Sequence, residues 1–150
     1  MKTMSTLDFE RVTPGQVLPP LTKHVTVEQI RQYAEASGDR NPIHLDETFA
    51  RSAGLPGVIA HGMLTMAFAN QMVTDWLGDR LLLKSLQGRF AGMVLPGDEV
   101  TCSGSVASRD DERRRLVINL VVTNQRGEKV LNKGVAEAEF PPRRSNTNAA

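Results

Sequence analysis

The spacing of apolar residues predicts two helices in the first third of the chain. Thr26 and Gln29 fit a capping box, and the apolar residues that follow recur at helical spacing. This first helix is expected to stop at Gly38, because glycine readily ends a helix. Asp46 can cap a second, shorter helix that runs through Arg51.

A third and longer helix is predicted to begin near Gly62 and to end at Gly78. Its apolar residues cover most of its circumference, and a helix of that kind is expected to be buried. The methionines on it suit a hydrophobic core better than a cofactor site.

The second half of the chain has the pattern of β-strands. Four apolar or alternating segments are separated by turn sequences: Leu81 to Phe90, Glu99 to Ala107, Leu116 to Thr123 and Val130 to Phe140. A long buried helix followed by an antiparallel meander predicts an α+β fold with the sheet wrapped around that helix. We expect a single domain over residues 1–140 and a disordered tail over 141–150.

Composition narrows the possible partners. Eighteen Lys and Arg residues against seventeen Asp and Glu residues give a net charge of +1, which offers no electrostatic reason to expect nucleic acid or a membrane surface. The charged run from Arg109 to Arg115 is interpreted as a solvated turn, with phosphate binding as the less favoured alternative. Cys102 is the single cysteine, and no segment is apolar enough to span a bilayer, so a reducing, cytoplasmic location is expected.

The segment from Ser37 to Asp46 holds the first candidate for chemistry. Pro42 keeps Asn41 out of the helical conformation, so this segment should be extended or turned. Asp39 and His44 can then converge across a bend and share one water as an acid–base pair. Asn41 could hold the loop or the water, whereas the alternative reading makes Asp39 a turn residue and His44 a structural histidine.

The second candidate lies where the long helix begins. Free backbone N–H groups and the positive end of the helix dipole would meet a ligand there, and Gly62 has no side chain to block a carbonyl. An oxygen that gains negative charge during a reaction would be stabilised at this place. His61 could instead cap or pack at the helix start, and His24, in a strand-like segment, is expected to be structural.

Other kinds of site have less support. His44 and His61 are far apart in sequence and lack the close His/Cys spacing of zinc sites, so we predict no metal. The chain has no Gly-rich phosphate loop and no nucleophile elbow, and Cys102 sits within a predicted strand. No cofactor is expected.

Taken together, these segments resemble the MaoC-like dehydratases, also called R-specific enoyl-CoA hydratases, over roughly residues 10 to 140. The matching segments are Ser37-Gly38-Asp39-Arg40-Asn41-Pro42-Ile43-His44, Ile59-Ala60-His61-Gly62-Met63 and Val94-Leu95-Pro96-Gly97-Asp98. The Asp-x-Asn-Pro-Ile-His element in the first of them is highly specific, much more so than the Pro-Gly-Asp turn. The His-Gly-Met-Leu-Thr-Met run and the chain length are particularly similar to the HadB-type subunits of mycobacterial dehydratases, which work with a second subunit.

The resemblance implies a hot-dog fold and the hydration of a 2-enoyl thioester, carried by coenzyme A or acyl carrier protein, to a 3R-hydroxyacyl product. It implies that Asp39 and His44 are the catalytic pair and that the Gly62 N–H holds the thioester carbonyl. The substrate-binding residues are expected to be Asn41, His61 and Met63. A homodimer, a dimer-based oligomer or a second hot-dog subunit is implied as partner. A thioesterase and a non-catalytic acyl-binding subunit remain as alternatives.

Overall fold

The computed structural model describes residues 5–143, and a long helix lies against an antiparallel sheet within this range. The helices are α1 (Val27–Ser37), α2 (Pro42–Leu45), α3 (Glu47–Ser52) and α4 (Gly62–Leu77), and single 3₁₀ turns lie at Phe9–Arg11 and Arg80–Leu82. The strands are β1 (Leu21–His24), β2 (Leu83–Phe90), β3 (Glu99–Asp110), β4 (Arg115–Asn124) and β5 (Lys129–Glu139). The predicted α+β arrangement is confirmed.

The predicted helix caps are present. The Thr26 side chain accepts a hydrogen bond from the Gln29 N–H at the start of α1, and Gly38 ends this helix in the left-handed conformation with φ of 80°. Asp46 caps α3 in the same way, through the Phe49 N–H. Each of these caps involves residues only a few positions apart, so the sequence alone was enough to predict it.

The short helix α2 was not predicted. The sequence indicated only an extended or turned segment around Pro42. Asn41 does lie outside the helical conformation, with ψ of 128°, but Pro42 itself occupies the first turn of α2. Proline is well suited to that position, because its fixed φ matches the helix and its missing N–H has no intrahelical acceptor to lose.

The five strands form one antiparallel sheet in the order β1-β3-β4-β5-β2. This order places β1 and β2 at the two edges. The β3–β4 hairpin is longer than predicted, because pairing continues past an irregularity between Val106 and Ser108 as far as Asp110 and Arg115. Backbone hydrogen bonds hold such a ladder together whatever the side chains are, so polar residues did not end the strands.

The interpretation of the charged run as a solvated turn was wrong for Arg109. Its side chain is only 18% exposed. The guanidinium donates hydrogen bonds to the backbone carbonyls of Phe9, Glu10 and Val12, and it lies 4.5 Å from the centre of the Phe9 ring. Arginine can satisfy several acceptors at once with its planar donors, and here it fastens residues 9–12 to the end of β3.

Helix α4 is buried over most of its circumference, as predicted, but one face remains exposed. The core face packs against the sheet through Leu64, Phe68, Met72 and Leu77. The opposite face is open, and Met63 is 55% exposed. None of the described helices has the length and apolar character needed to cross a membrane.

Residues 141–143, at the start of the predicted tail, contact the rest of the chain. Arg143 donates to the Glu10 carboxylate at 2.9 Å, and Arg114 donates to the Pro141 carbonyl at 2.8 Å. The remaining tail residues, 144–150, lie outside the described range, as do residues 1–4.

The turn before β3 is held by the buried carboxylate of Asp98. Burial alone would raise the pKa of Asp98, but hydrogen bonds from Gln125 and the Leu95 N–H, with the charge of Arg126, lower it below its ordinary value. The same turn is tied to Val25 through two backbone hydrogen bonds. Asp98 therefore stabilises the joint between β1, β3 and the loop after β2.

We expect Asp98→Asn to lower the free energy of unfolding at pH 7 by about 1–3 kcal/mol, since an amide cannot satisfy both donors in the same way. The folded-state pKa is depressed, so this stabilisation is present above the ordinary pKa of 3.8 and is lost as the pH falls below it. In urea denaturation, the free energy of unfolding of the variant should differ more from that of the wild type at pH 7 than at pH 3. Asp75→Asn, on the exposed side of α4, is the control. An equal difference at both pH values would contradict this account.

Candidate active site

A sequence of side-chain caps gives the loop between α1 and α2 its shape. The Asp39 N–H donates to the Ser37 hydroxyl, the Asn41 N–H donates to the Asp39 carboxylate, and the Ile43 N–H donates to the Asn41 side-chain oxygen. Asx turns of this kind fix the backbone through short side chains. Within residues 5–143 the other carboxylate oxygen of Asp39 accepts no hydrogen bond, and the side chain is 54% exposed.

His44 projects from α2 and is almost fully buried. Its Nδ1 lies 2.7 Å from the backbone carbonyl of Ile59, which can only accept, so Nδ1 carries the hydrogen. In the neutral ring the lone pair is then on Nε2, and this atom lies 4.0 Å from Oδ2 of Asp39. That distance is too long for a direct hydrogen bond, but both atoms can bond one molecule of water between them.

His61 joins the same cluster from the residue before α4. Its ring stacks on His44 with centroids 3.8 Å apart and an angle of 25°, and Tyr33 of α1 packs against it at 4.8 Å. Nε2 of His61 donates to the backbone carbonyl of Asp39 at 2.9 Å. Its Nδ1 is buried without a hydrogen-bonding partner within residues 5–143. Leaving such an atom unpaired costs about 1–3 kcal/mol.

The fold therefore brings together two histidines that the sequence argument against a metal site had treated as separate. Potential ligand atoms of Asp39, His44 and His61 all lie within 4.8 Å of one another. The two rings are nearly parallel, however, and lone pairs in parallel rings do not converge on one ion. One ring would have to turn before all three residues could bind the same metal, and the prediction of no metal site stays a prediction.

Gly62 is the first residue of α4, next to this cluster. The His61 side chain does not cap the helix. The first-turn N–H groups have no intrahelical acceptors, and the dipole makes this end of the helix positive. A Cβ atom at Gly62 would lie 3.1 Å from the ring of Phe90, at the end of β2. Phe90 and Met63 are both about half exposed, so the helix start has an apolar rim.

Cys102 can be set aside as a nucleophile. It is fully buried in β3. Burial raises the pKa of the Cys102 thiol to about 11, although the charge of Lys23 acts in the opposite direction. The reactive thiolate is therefore scarce at neutral pH. His24, at the exposed end of β1, lies outside the histidine cluster.

Two features of the site had no signal in the sequence. The Ile59 carbonyl sets the tautomer of His44, but any residue has a carbonyl, so nothing in the side chains identifies it. The stacking of His61 on His44 depends on how α4 approaches α2, which is set by tertiary packing. The remaining predicted residues, Asp39, Asn41, Gly62 and Met63, all lie in this loop or at this helix start.

Comparison with known proteins identifies the family. The family model described as "MaoC like domain" matches residues 9–129. The fatty acid synthase subunit beta of Schizosaccharomyces pombe is 37% identical over 136 residues, which is 88% of this chain but only 6% of that protein. The chain thus spans a small part of the curated relatives that it matches.

Solved structures give the same result. The (R)-hydratase from A. caviae involved in PHA biosynthesis has a TM-score of 0.81 at 25% identity, over 88% of this chain and 99% of that one. The ChsH1-ChsH2 complex from Mycobacterium tuberculosis gives 0.76 at 26% identity, over 86% and 98%. The fold is the hot-dog fold, and the chain belongs to the MaoC-like dehydratase family.

Proposed function

We propose that this protein is a hydro-lyase that hydrates trans-2-enoyl thioesters reversibly to (3R)-3-hydroxyacyl thioesters. The observation that carries the proposal is the placement of Asp39 Oδ2 4.0 Å from Nε2 of His44, whose Nδ1 lies against the Ile59 carbonyl. Family membership supports a hydratase or dehydratase role, and the similar A. caviae protein is an (R)-hydratase.

In the hydration direction, one water lies between the two acceptors. Its two hydrogens bond to Asp39 Oδ2 and His44 Nε2, and an oxygen lone pair then points away from the pair towards C3 of the substrate. As the C3–O bond forms, one O–H bond breaks and the pair takes the proton. The pair then delivers a proton to C2, so water has been added across the double bond. The two residues act as a unit that shares one proton.

The thioester carbonyl gains negative charge when C3 is attacked. In our proposal this oxygen lies against the Gly62 N–H, at the positive end of α4, where the charge is stabilised without rearrangement of the protein. Met63 and Phe90 line the approach with apolar surface. Asn41 supports the site indirectly, since its side chain caps α2 and so positions His44. The reaction as proposed uses no metal and no cofactor.

Two features support a second subunit next to this site. Helix α4 leaves one face open, and β2 is an edge strand of the sheet. The open face of α4 carries the apolar residues Met63 and Ala67, and exposed apolar residues and unpaired strand edges are commonly covered by a partner. One similar solved structure is a two-component complex. We therefore propose a homodimer, or a pairing with a second hot-dog subunit. We also propose that the substrate is carried by coenzyme A or acyl carrier protein.

Asp39→Asn and His44→Ala are each expected to lower kcat/KM by at least about a hundredfold, because each removes half of the acid–base pair. Hydration of crotonyl-CoA, followed by the loss of enoyl-thioester absorbance, measures this. Glu112→Gln and His24→Ala make matched changes at exposed positions in the β3–β4 turn and on β1, and they should keep wild-type activity.

Near-native activity in both folded site variants would rule out this mechanism. Release of free thiol from saturated acyl-CoA would point to the thioesterase alternative. Tight thioester binding without any product would point to the acyl-binding subunit instead.

Gly62→Ala is expected to reduce kcat by about tenfold or more, because a Cβ would crowd both the Phe90 ring and the proposed carbonyl site. Phe90→Ala alone should be less harmful, since Phe90 supplies no hydrogen bond to the carbonyl. In the double variant the ring no longer obstructs Cβ, yet the loss should persist. Wild-type kcat in Gly62→Ala would argue against a thioester carbonyl at this position.

The purified protein is expected to have twice the mass of one chain in sedimentation equilibrium at micromolar concentrations. Ala67→Glu, on the open face of α4, should shift it towards the monomer, since a charge without a partner is costly to bury in an interface. A wild-type protein that stays monomeric at tens of micromolar would exclude the homodimer, and a second hot-dog subunit would then be the partner to test.

A further inference from the structure

His61 contacts both members of the proposed catalytic pair, although no step of the proposed reaction uses it. Its ring packs against Tyr33 of α1 and stacks on His44 of α2, and His61 itself is the residue that precedes α4. The side chain makes no cap for the helix that it precedes. It is 2% exposed, so its polar atoms are withdrawn from solvent.

The first contact locates Asp39. The Nε2–H of His61 donates to the Asp39 backbone carbonyl at 2.9 Å, across 22 residues of sequence. The Asp39 carboxylate is half exposed, so its place depends on the backbone turn from which it extends. The Asn41 N–H stabilises that turn by donating to the Asp39 carboxylate, whereas His61 connects the turn to the start of α4.

The second contact locates the ring of His44. The hydrogen bond from Nδ1 to the Ile59 carbonyl holds one edge of that ring, but an edge contact still allows the ring to tilt. The His61 ring covers the face of His44 at a centroid distance of 3.8 Å and removes this freedom. One side chain therefore limits the movement of both catalytic groups.

We propose that His61 is a positioning residue that holds the Asp39 carboxylate and His44 Nε2 at the separation needed to share one water. This inference rests on the proposed function, and it gives His61 a role different from substrate contact. Reactivity depends steeply on such placement, since a displacement of about 1 Å can cost a hundredfold in rate. Its Nδ1 has no hydrogen-bonding partner within the described residues, so the polar contact that the ring makes there is the one to Asp39.

Two substitutions separate the two contacts. His61→Phe keeps a flat ring against His44 but removes the donor to Asp39, whereas His61→Gln keeps an N–H donor near Nε2 and removes the ring. We expect both to lower kcat for crotonyl-CoA by about ten- to a hundredfold while KM stays within about twofold, since orientation of the pair is lost and substrate binding is not. His24→Phe and His24→Gln, at the exposed position on β1, are the matched controls.

Hydrogen exchange supplies a readout that does not require turnover. In His61→Phe, the amides of Asp39, Asn41 and Ile43 should exchange at least about tenfold faster than in the wild type, and those of β4 should be unchanged, because one loop has lost its anchor. His61→Gln should increase the exchange rates of these amides less, because it keeps an N–H donor near the Asp39 carbonyl. Wild-type kcat in both variants, a rise in KM alone, or exchange that is unchanged or uniformly faster would overturn the positioning role. If the wild type hydrates no enoyl thioester, the proposed function fails. The exchange experiment still tests His61 in that case, because faster exchange limited to this loop would show that His61 holds the Asp39 turn in place.

Discussion

The hydrogen bond from His44 Nδ1 to the Ile59 carbonyl is the contact on which the candidate site depends. At 2.7 Å it places the hydrogen on Nδ1 and leaves the Nε2 lone pair facing Asp39. A second bond, from the Ile59 N–H to the Ile43 carbonyl, ties the same two segments together, and the Ala60 N–H bonds to Val94 beyond them. The loop before α4 is therefore fixed on both sides. Without this bond the ring could adopt the other tautomer, and the pair would lose its acceptor.

The polar groups of the candidate site lie on short connecting segments, and regular structure holds those segments in place. The sheet and the core face of α4 contribute apolar packing, while the loop from Asp39 to Asn41 and the start of α4 contribute the polar atoms. Backbone groups act as much as side chains do: the carbonyls of Asp39 and Ile59 orient two histidines. Substitutions far from the site could therefore disturb the reaction if they move the main chain of either segment.

Local and periodic features were predictable from the sequence, and features set by tertiary contact were not. The cap at Thr26, the end of α1 at Gly38 and the limits of α4 each depend on residues close in the chain. The convergence of Asp39 and His44 followed from the constraint imposed by the intervening proline. By contrast, the open face of α4, the buried Arg109 and the stack of His61 on His44 depend on which elements pack together, and no local pattern encodes that.

The fastening of residues 9–12 by Arg109 has a consequence for how the chain assembles. Phe9 packs on Phe140 with ring centroids 5.2 Å apart, and Arg143 bonds to Glu10 across 133 positions. Residues 9–10 and residues 140–143 are thus spatial neighbours, although they are far apart in the sequence. A circular permutant that linked them and opened another exposed turn could retain all the strand pairings. Contacts now made between these two segments, which are distant in sequence, would become local, so the same architecture could be reached with lower contact order and in a different order of events.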